Sequence, residues 1–118
     1  MATIKPYASL CSYARSCGEY YIRLNNVAAR LLGDKQWVRV GKTTDNKYIV
    51  ITPVDNGEEM NMCRKVVTRE KDRSAAHIFV SAWVTNGFFD ASWFGGKRYK
   101  IKKDRNGRIY ICLNERME

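Results

Sequence analysis

The feature that most constrains the fold is a pattern of strand, helix and hairpin that occurs twice. Residues 21–55 and 77–115 each begin with a short apolar strand and continue with a polar residue, a short apolar helical stretch and two alternating strands around a turn. A β-α-β-β unit of about 35 residues cannot bury its own apolar face and needs a partner. Two such units predict a β-rich α+β domain with pseudo-twofold symmetry.

The helical stretch of each copy carries its own start signal. Asn25 and Ser81 are the residues predicted to cap the two helices, and Gly33 is placed to end the first one. The apolar residues that follow the caps are Val27, Ala28, Leu31 and Leu32 in the first copy and, less regularly, Trp83, Val84, Phe88 and Phe89 in the second.

The hairpins of the two copies align at a single offset of 61 residues. The helices align at an offset of 56, which predicts a five-residue insertion around DASWFGG in the second copy. A chain without a repeat, in which ordinary α+β patterning produced both runs, is the alternative. The aligned positions are Val38 and Val40 with Tyr99 and Ile101, the turn signals Asp45-Asn46 with Asn106-Gly107, and Tyr48–Ile51 with Ile109–Cys112.

The 118 residues are predicted to form a single domain. Residues 1–20 are expected to form a strand or short helix that covers one edge of the sheet. Residues 56–76 are expected to link the two copies. Within this linker, EEMNMCRKVV could add a strand, and TREKDRSAA predicts an exposed loop.

The net charge and the cysteine content limit the classes of function that the chain can have. The net charge is +9, with a pI near 9.6, which favours association with anions. The cysteines show no Cys-x-x-Cys spacing and the chain has no His pair, so neither a metal site nor a cofactor is predicted. No apolar run reaches the ~20 residues of a membrane span, and the start lacks a secretory apolar region. We therefore expect a cytoplasmic protein with free thiols at Cys11, Cys17, Cys63 and Cys112.

Catalysis finds no support in the sequence. The chain has no glycine-rich phosphate loop and no nucleophile beside a base in a known motif, and its acidic residues are scattered apart from Glu58-Glu59. The lone His77 begins a strand and is interpreted as structural. We expect a binding protein and not an enzyme.

The stretch KRYKIKKDRNGRIYICL, residues 97–113, carries the clearest functional signal. Alternation along a strand places Tyr99 and Ile101 on one face and the intervening cations on the other, at about 6–7 Å spacing. Successive phosphates of a nucleic acid have a similar separation. Lysines that merely protect an edge strand are the alternative. The predicted anion-binding residues of this hairpin are Arg98, Lys100, Lys102, Lys103, Arg105 and Arg108.

Three further groups of residues are candidates for contact with a partner. The first hairpin repeats the basic pattern more weakly with Arg39, Lys42 and Lys47. Trp93 and Phe94, beside glycines in the insertion, form either an aromatic anchor for a base or protein partner or a corner of the core. A second basic run, diluted by two acids, is interpreted as a mobile solvated loop and consists of Arg64, Lys65, Arg69, Lys71 and Arg73.

The stretch YIRLNNVAARLLGDKQWVRVGKTTDNKYIVITPV resembles the AbrB-like swapped-hairpin DNA-binding domains. The similarity lies in the order strand, short helix ending in Leu-Leu-Gly, alternating strand, turn, and strand ending in Thr-Pro-Val. The Leu24-Asn25 step stands where the family commonly has Ile-Pro. The resemblance implies two paired units, here within one chain, whose basic sheet residues grip DNA.

The sequence thus favours a bacterial or phage transcriptional regulator that binds nucleic acid, with duplex DNA as the first candidate. Small proteins of phages and mobile elements show similar patterns. An inhibitor of host defence, of the anti-CRISPR type, which binds a nuclease or its guide RNA complex, therefore remains the alternative. Its basic face would then meet an acidic protein surface or a ribonucleoprotein. The oligomeric state is left open.

Overall fold

The computed structural model describes residues 5–13, 19–55, 63–69 and 72–117, except for the side chains at positions 13, 69, 72–74 and 117. This part of the chain is strand-rich and has few, short helices, as expected for a β-rich α+β domain. Two 3₁₀ turns accompany the helices, at Arg30–Leu32 and Ala91–Trp93. The elements are β1 Tyr7–Tyr13, β2 Glu19–Leu24, α1 Asn26–Ala29, β3 Trp37–Lys42, β4 Tyr48–Val54, β5 Cys63–Lys65, β6 Val67–Arg69, β7 Asp72–Phe79, α2 Ser81–Thr85, β8 Lys97–Lys103 and β9 Ile109–Met117.

The described strands form one antiparallel sheet in the order β5-β3-β4-β9-β8-β1-β2-β7-β6. The outermost strands, β5 and β6, are consecutive in the chain and are separated only by Val66. The Val66 amide donates a hydrogen bond to the Gln36 carbonyl at 2.8 Å. Because one short segment pairs with both ends of the sheet, the sheet curls into a nearly closed, barrel-like shape.

The core lies inside this curled sheet. Along the longer strands β2, β3, β4 and β8, residues of alternate positions point inward, as the two-residue period of a strand requires. The helices close the interior with Ala28, Trp83 and Val84. The fully buried strand residues include Ala8, Leu10, Ile22, Leu24, Val38, Ile49, Ile51, Ile78, Ile109 and Ile111.

The local signals of the first copy are confirmed. The Asn25 side chain accepts a hydrogen bond from the Ala28 amide at 3.0 Å, as a helix cap should. Gly33 follows the 3₁₀ turn at a φ of 64°, in the region that favours glycine. The two predicted hairpin turns also contain residues of positive φ, Asn46 and Gly107.

The predicted cap of the second helix is wrong. Ser81 is the first residue of α2, and its hydroxyl accepts a hydrogen bond from the Tyr20 amide at 2.9 Å. Val80 occupies the capping position without a side-chain bond. The sequence signal failed because the hydroxyl has a neighbouring strand as a competing partner. Phe88, predicted among the apolar helical residues, lies beyond α2 and is 39% exposed.

The strand in the described part of the N-terminal segment does not cover an edge of the sheet. Strand β1 lies between β8 and β2 and pairs with both. Its inward residues Ala8 and Leu10 are fully buried. The edge prediction was wrong because a strand buried between two neighbours has the same local sequence pattern as one that pairs on a single side.

The predicted linker contains β5 and β6, the two outermost strands of the sheet. Residues 63–69 form β5 and β6, so the added strand expected in EEMNMCRKVV is found at its C-terminal end. The exposed loop expected at residues 68–76 is wrong, because β7 begins at Asp72 and both Ala75 and Ala76 are buried. The many charged residues of this hairpin made its sequence resemble that of a solvated loop. Residues 56–62 and 70–71 lie outside the described part of the chain.

At the single offset of 61, the inward residues of β3 align with inward residues of β8, but those of β4 do not align with the inward residues of β9. The inward residues of β4 are Ile49 and Ile51, and those of β9 are Ile109 and Ile111, which requires an offset of 60. The turns explain the difference. The hydrogen bond from the Thr43 amide to the Tyr48 carbonyl encloses a turn of four residues. The bond from the Asp104 amide to the Arg108 carbonyl encloses a turn of only three. A slip of one residue exchanges the two faces of a strand.

Candidate nucleic-acid interface

Strand β8 presents a row of cations on the outside of the barrel. Tyr99 is 4% exposed and Ile101 packs against the core, so the alternate residues Arg98, Lys100 and Lys102 point outward and are exposed. Successive outward residues of a strand lie about 6–7 Å apart. The alternation predicted for this strand is therefore present in the structure.

Tyrosine rings lie beside this row. The Arg98 guanidinium lies over the Tyr7 ring, 4.9 Å from its centroid, and the Lys102 ammonium lies 5.8 Å from the centroid of the Tyr48 ring. The Tyr48 and Tyr110 rings meet edge to face, with centroids 5.8 Å apart. Sequence reasoning missed Tyr7 and Tyr48, because only the strand pairings bring β1 and β4 to the two sides of the hairpin. It also missed Tyr110, which lies on β9 of the hairpin and pairs with Lys102.

The β8–β9 ladder is interrupted within the basic row. Tyr99 pairs with Arg116 and Ile101 pairs with Ile111, so four residues of β9 lie opposite Lys100 alone. This bulge brings the Glu115 carboxylate within 4.0 Å of the Lys102 ammonium. Both side chains are well exposed, and exposed pairs contribute about 0–1 kcal/mol. The row therefore keeps most of its positive potential.

Asp104 organises the turn of the basic hairpin. Its Oδ1 accepts hydrogen bonds from the amides of Asn106 and Arg108, each at 2.9 Å, and its Oδ2 lies 3.1 Å from Nε of Arg108. Burial opposes ionisation of this carboxyl, but the two amides, the Arg108 charge and the Tyr110 hydroxyl outweigh it and lower the Asp104 pKa. Arg108 is thus partly neutralised, whereas Lys103 and Arg105 are exposed beside it.

The cations of the first hairpin lie in three different settings. Arg39 points outward from β3 and lines a groove of about 450 Å³ together with Thr52 and Arg108. Lys42 turns toward the end of the barrel, where its ammonium lies 4.9 Å from the centroid of the Phe88 ring. Lys47 is exposed in the turn. The groove therefore brings together Arg39, Lys42 and Arg108, with the Lys42 ammonium extending toward Phe88.

The predicted aromatic anchor is only partly accessible. Phe94 is 2% exposed and packs edge to face on Tyr20, so it cannot stack on a base, and the core-corner alternative is confirmed for this residue. Trp93 is half-buried against the core. Phe88 is the exposed aromatic of this region. Phe94 packs instead with Tyr20 and Phe89 in the core.

The second basic run is not a mobile loop over its first residues. Arg64 and Lys65 belong to β5, and the Arg64 guanidinium stacks over the Trp83 ring at 4.3 Å. Arg69 and Arg73 lie in β6 and β7, with side chains outside the description. Lys71 lies outside the described residues.

The remaining reactive groups are placed as follows. Cys63 and Cys112 are buried and Cys11 is half-buried, and burial raises the pKa of the Cys11 and Cys112 thiols. His77 is buried in β7 and stacks on Tyr21, with ring centroids 5.3 Å apart. Among the described residues, no group of three His, Cys, Asp or Glu side chains is placed to hold a metal ion. No described helix is long and apolar enough to cross a membrane.

Comparisons with known proteins assign no family. A scan against family models gave no match, and searches of curated proteins and of solved structures gave none either.

Proposed function

We propose that this chain is a nucleic-acid-binding protein of a bacterium or phage that acts as a transcriptional regulator through its basic hairpin face. The observation that carries the proposal is the outward row Arg98, Lys100 and Lys102 on β8. Cations at this spacing suit consecutive phosphates, and each neutralised phosphate releases counterions. Phosphate contacts supply affinity and orientation more than sequence selectivity.

The proposal includes two structurally related copies, which extend beyond the boundaries expected from the sequence. Each copy would comprise a first strand, the strand before the helix, the helix and the hairpin. Three register comparisons support this arrangement. In the first comparison, the pair Cys11–Tyr21 corresponds to the pair Val67–His77. Cys11 and Val67 differ by 56 residues, and so do Tyr21 and His77.

The other two comparisons involve the hairpins. The pair Ser9–Arg98 corresponds to the pair Lys65–Trp37. Ser9 and Lys65, in the first strands, differ by 56 residues. Trp37 and Arg98, in the hairpin strands, differ by 61. The hairpin pairs Val40 with Ile51 and Ile101 with Ile111 also correspond, at offsets of 61 and 60. Agreement of separate ladders on the same offsets favours a repeat over chance patterning.

This correspondence also relates the basic residues. It matches Arg39 with Lys100 and Lys42 with Lys103, so each hairpin carries cations at two equivalent positions. Strands β3 and β8 are separated by two others in the sheet, which places them about 14 Å apart. That separation is comparable to the ~12 Å width of the DNA major groove. We therefore assign the first hairpin, with Arg39, Lys42 and Lys47, to a second half-site.

The proposed relation to AbrB-like domains has one structural argument. In the sheet order, the β3–β4 hairpin lies beside the β9–β8 hairpin, whereas β2 pairs with β1 and β7. Each hairpin is thus paired with the other copy instead of with the strand that precedes its own helix. This exchange is what a swapped-hairpin arrangement within one chain requires.

The test is binding of purified protein to labelled random-sequence duplex DNA between about 50 and 200 mM salt. We expect submicromolar binding at the low end and a steep loss with salt. The variant Lys100→Ala/Lys102→Ala should bind more weakly, with a slope of log K against log salt reduced by about two, since each lost phosphate contact contributes about 0.9.

The matched control removes two cations elsewhere. Arg30→Ala/Lys35→Ala changes the net charge equally, but these residues line a separate groove beside α1. An equal loss in both variants would show that only net charge matters. Absence of binding to any nucleic acid by the unmodified protein would overturn the proposal, and a co-purifying protein partner would then support the defence-inhibitor alternative.

A further inference from the structure

The tyrosines beside the basic row say more about the ligand than the charges do. Duplex DNA presents phosphates and groove edges to a protein, and its base faces are stacked inside. Aromatic rings on a sheet surface, interleaved with cations, are the usual arrangement for binding unpaired bases. Tyr7, Tyr48 and Tyr110 are half-buried on the outer face of the sheet. We propose that the nucleic acid on this face is single-stranded.

The first ring position is Tyr7 on β1. Tyr7 pairs directly with Lys100 across the β1–β8 ladder, and the Arg98 guanidinium stacks over its ring. A base could take the place of the guanidinium or lie beyond it, since planar guanidinium groups also stack on bases. In either arrangement, the neighbouring cations remain within reach of the phosphates on both sides of that base.

The second ring position lies on the opposite side of β8. Tyr110 pairs directly with Lys102, and its hydroxyl donates to the Asp104 Oδ2 at 3.3 Å, which holds the ring. Because Tyr48 meets this ring at 88°, the pair presents both a ring face and a ring edge. The Lys102 ammonium, at 5.8 Å from the Tyr48 centroid, is close enough to neutralise the phosphate of a base stacked there.

The two ring positions are far enough apart to serve different nucleotides. Tyr7 and Tyr110 are separated by two strand spacings and one two-residue step, about 12 Å in the plane of the sheet. Adjacent stacked bases are only about 3.4 Å apart. The strand would therefore cross β8 in an extended form, with bases on both rings and its backbone over Arg98, Lys100 and Lys102.

This inference rests on the proposed function, and the experiment separates the two. We would measure binding of four ligands of equal length at one salt concentration: a single-stranded DNA, the same sequence as RNA, its DNA duplex, and a single strand with abasic positions in its central part. The abasic strand keeps the phosphates and removes the bases, so it isolates the contribution of stacking without any change to the protein.

We expect both natural single strands to bind roughly a hundredfold more tightly than the abasic strand, since each of two bases stacked on an aromatic side chain contributes about tenfold, and also more tightly than the duplex. Tyr7→Leu removes one of the two ring positions, so it should lose roughly tenfold for natural strands and nothing for the abasic strand, whereas Tyr7→Phe should bind as the unmodified protein does. A preference between DNA and RNA would identify the source of the strand.

Equal binding of natural and abasic strands, or tighter binding of the duplex, would overturn the single-strand inference and leave the proposed function standing. No binding of any ligand would overturn both. The abasic comparison needs no variant, so the inference stays testable even if Tyr7→Leu fails to fold.

Discussion

Asp104 shows how one residue can both close the turn of the basic hairpin and limit its charge. Its carboxylate closes the turn through two backbone amides and pairs with Arg108 on the same hairpin. The two roles can be separated chemically. An asparagine keeps an oxygen that can accept the amide hydrogen bonds, but it removes the negative charge that Arg108 faces.

We expect Asp104→Asn to bind nucleic acid more tightly than the unmodified protein. Released from its carboxylate, Arg108 would be available to a phosphate, so the slope of log K against log salt should become steeper by about one. A salt titration measures both quantities. Unchanged affinity and slope would show that Arg108 does not meet the ligand.

The same variant has a stability readout that does not depend on binding. Since the folded-state pKa of Asp104 is lowered, its ionisation stabilises the fold above the pKa of the unfolded chain, and this stabilisation is lost as the pH falls through the folded pKa. Thermal unfolding should therefore show a smaller loss of stability on acidification for Asp104→Asn than for the unmodified protein. Parallel pH profiles would contradict the assignment.

At the scale of elements, Asn25 ties the first strand to the first helix. Its side-chain oxygen accepts hydrogen bonds from the amides of Ala28 and Tyr7, and its amide group donates to the Lys5 carbonyl. The residue is 4% exposed, so water cannot easily replace these partners. This one side chain therefore links the start of β1, including Tyr7, to the start of α1.

We predict that Asn25→Ala lowers the free energy of unfolding by about 2 kcal/mol, because it removes a helix cap and leaves a strand amide without its partner. Chemical denaturation would measure the loss. Asn26→Ala is the matched control, since Asn26 is the first residue of α1 and alanine is favoured there, so its effect should stay within about 0.5 kcal/mol. Equal losses in the two variants would contradict the role assigned to Asn25.

At the scale of the whole molecule, the two halves of the chain are built into each other. Of the eight strand pairings in the described residues, four join the half before residue 56 to the half after it: β1–β8, β2–β7, β3–β5 and β4–β9. Neither half alone can therefore complete a sheet or enclose the core.

We expect that residues 1–57 and 58–118, produced separately, will not fold as monomers, because each half loses half of its strand partners and exposes its apolar face. Mixing the two should restore a cooperative thermal transition, measured by circular dichroism with the mass from light scattering. A half that unfolds cooperatively as a monomer would contradict this interlocked arrangement. A half that folds only as a dimer would agree with it.

Local signals determined the outward cations of β8, both hairpin turns and the cap of the first helix. Each depends on alternation or on a hydrogen bond within a few residues, and such patterns are readable in the sequence itself. The basic face could therefore be predicted as a row of charges. Most of its aromatic component could not, because Tyr7 and Tyr48 reach it from strands whose pairing is long-range. Tyr110 lies on the hairpin itself, but the offset of 61 aligned it with the inward residue Ile49 and so assigned it to the wrong face.

The tertiary structure alone decided the central position of β1, the strands within the expected linker, the burial of Phe94 and the offset of 60 in the second hairpin. In each case, the local sequence was compatible with more than one partner or face. The choice was made by the long-range strand pairings of the curled sheet, which determine the neighbours of each described strand. Sequence thus determined which side chains alternate, and packing determined what lies opposite them.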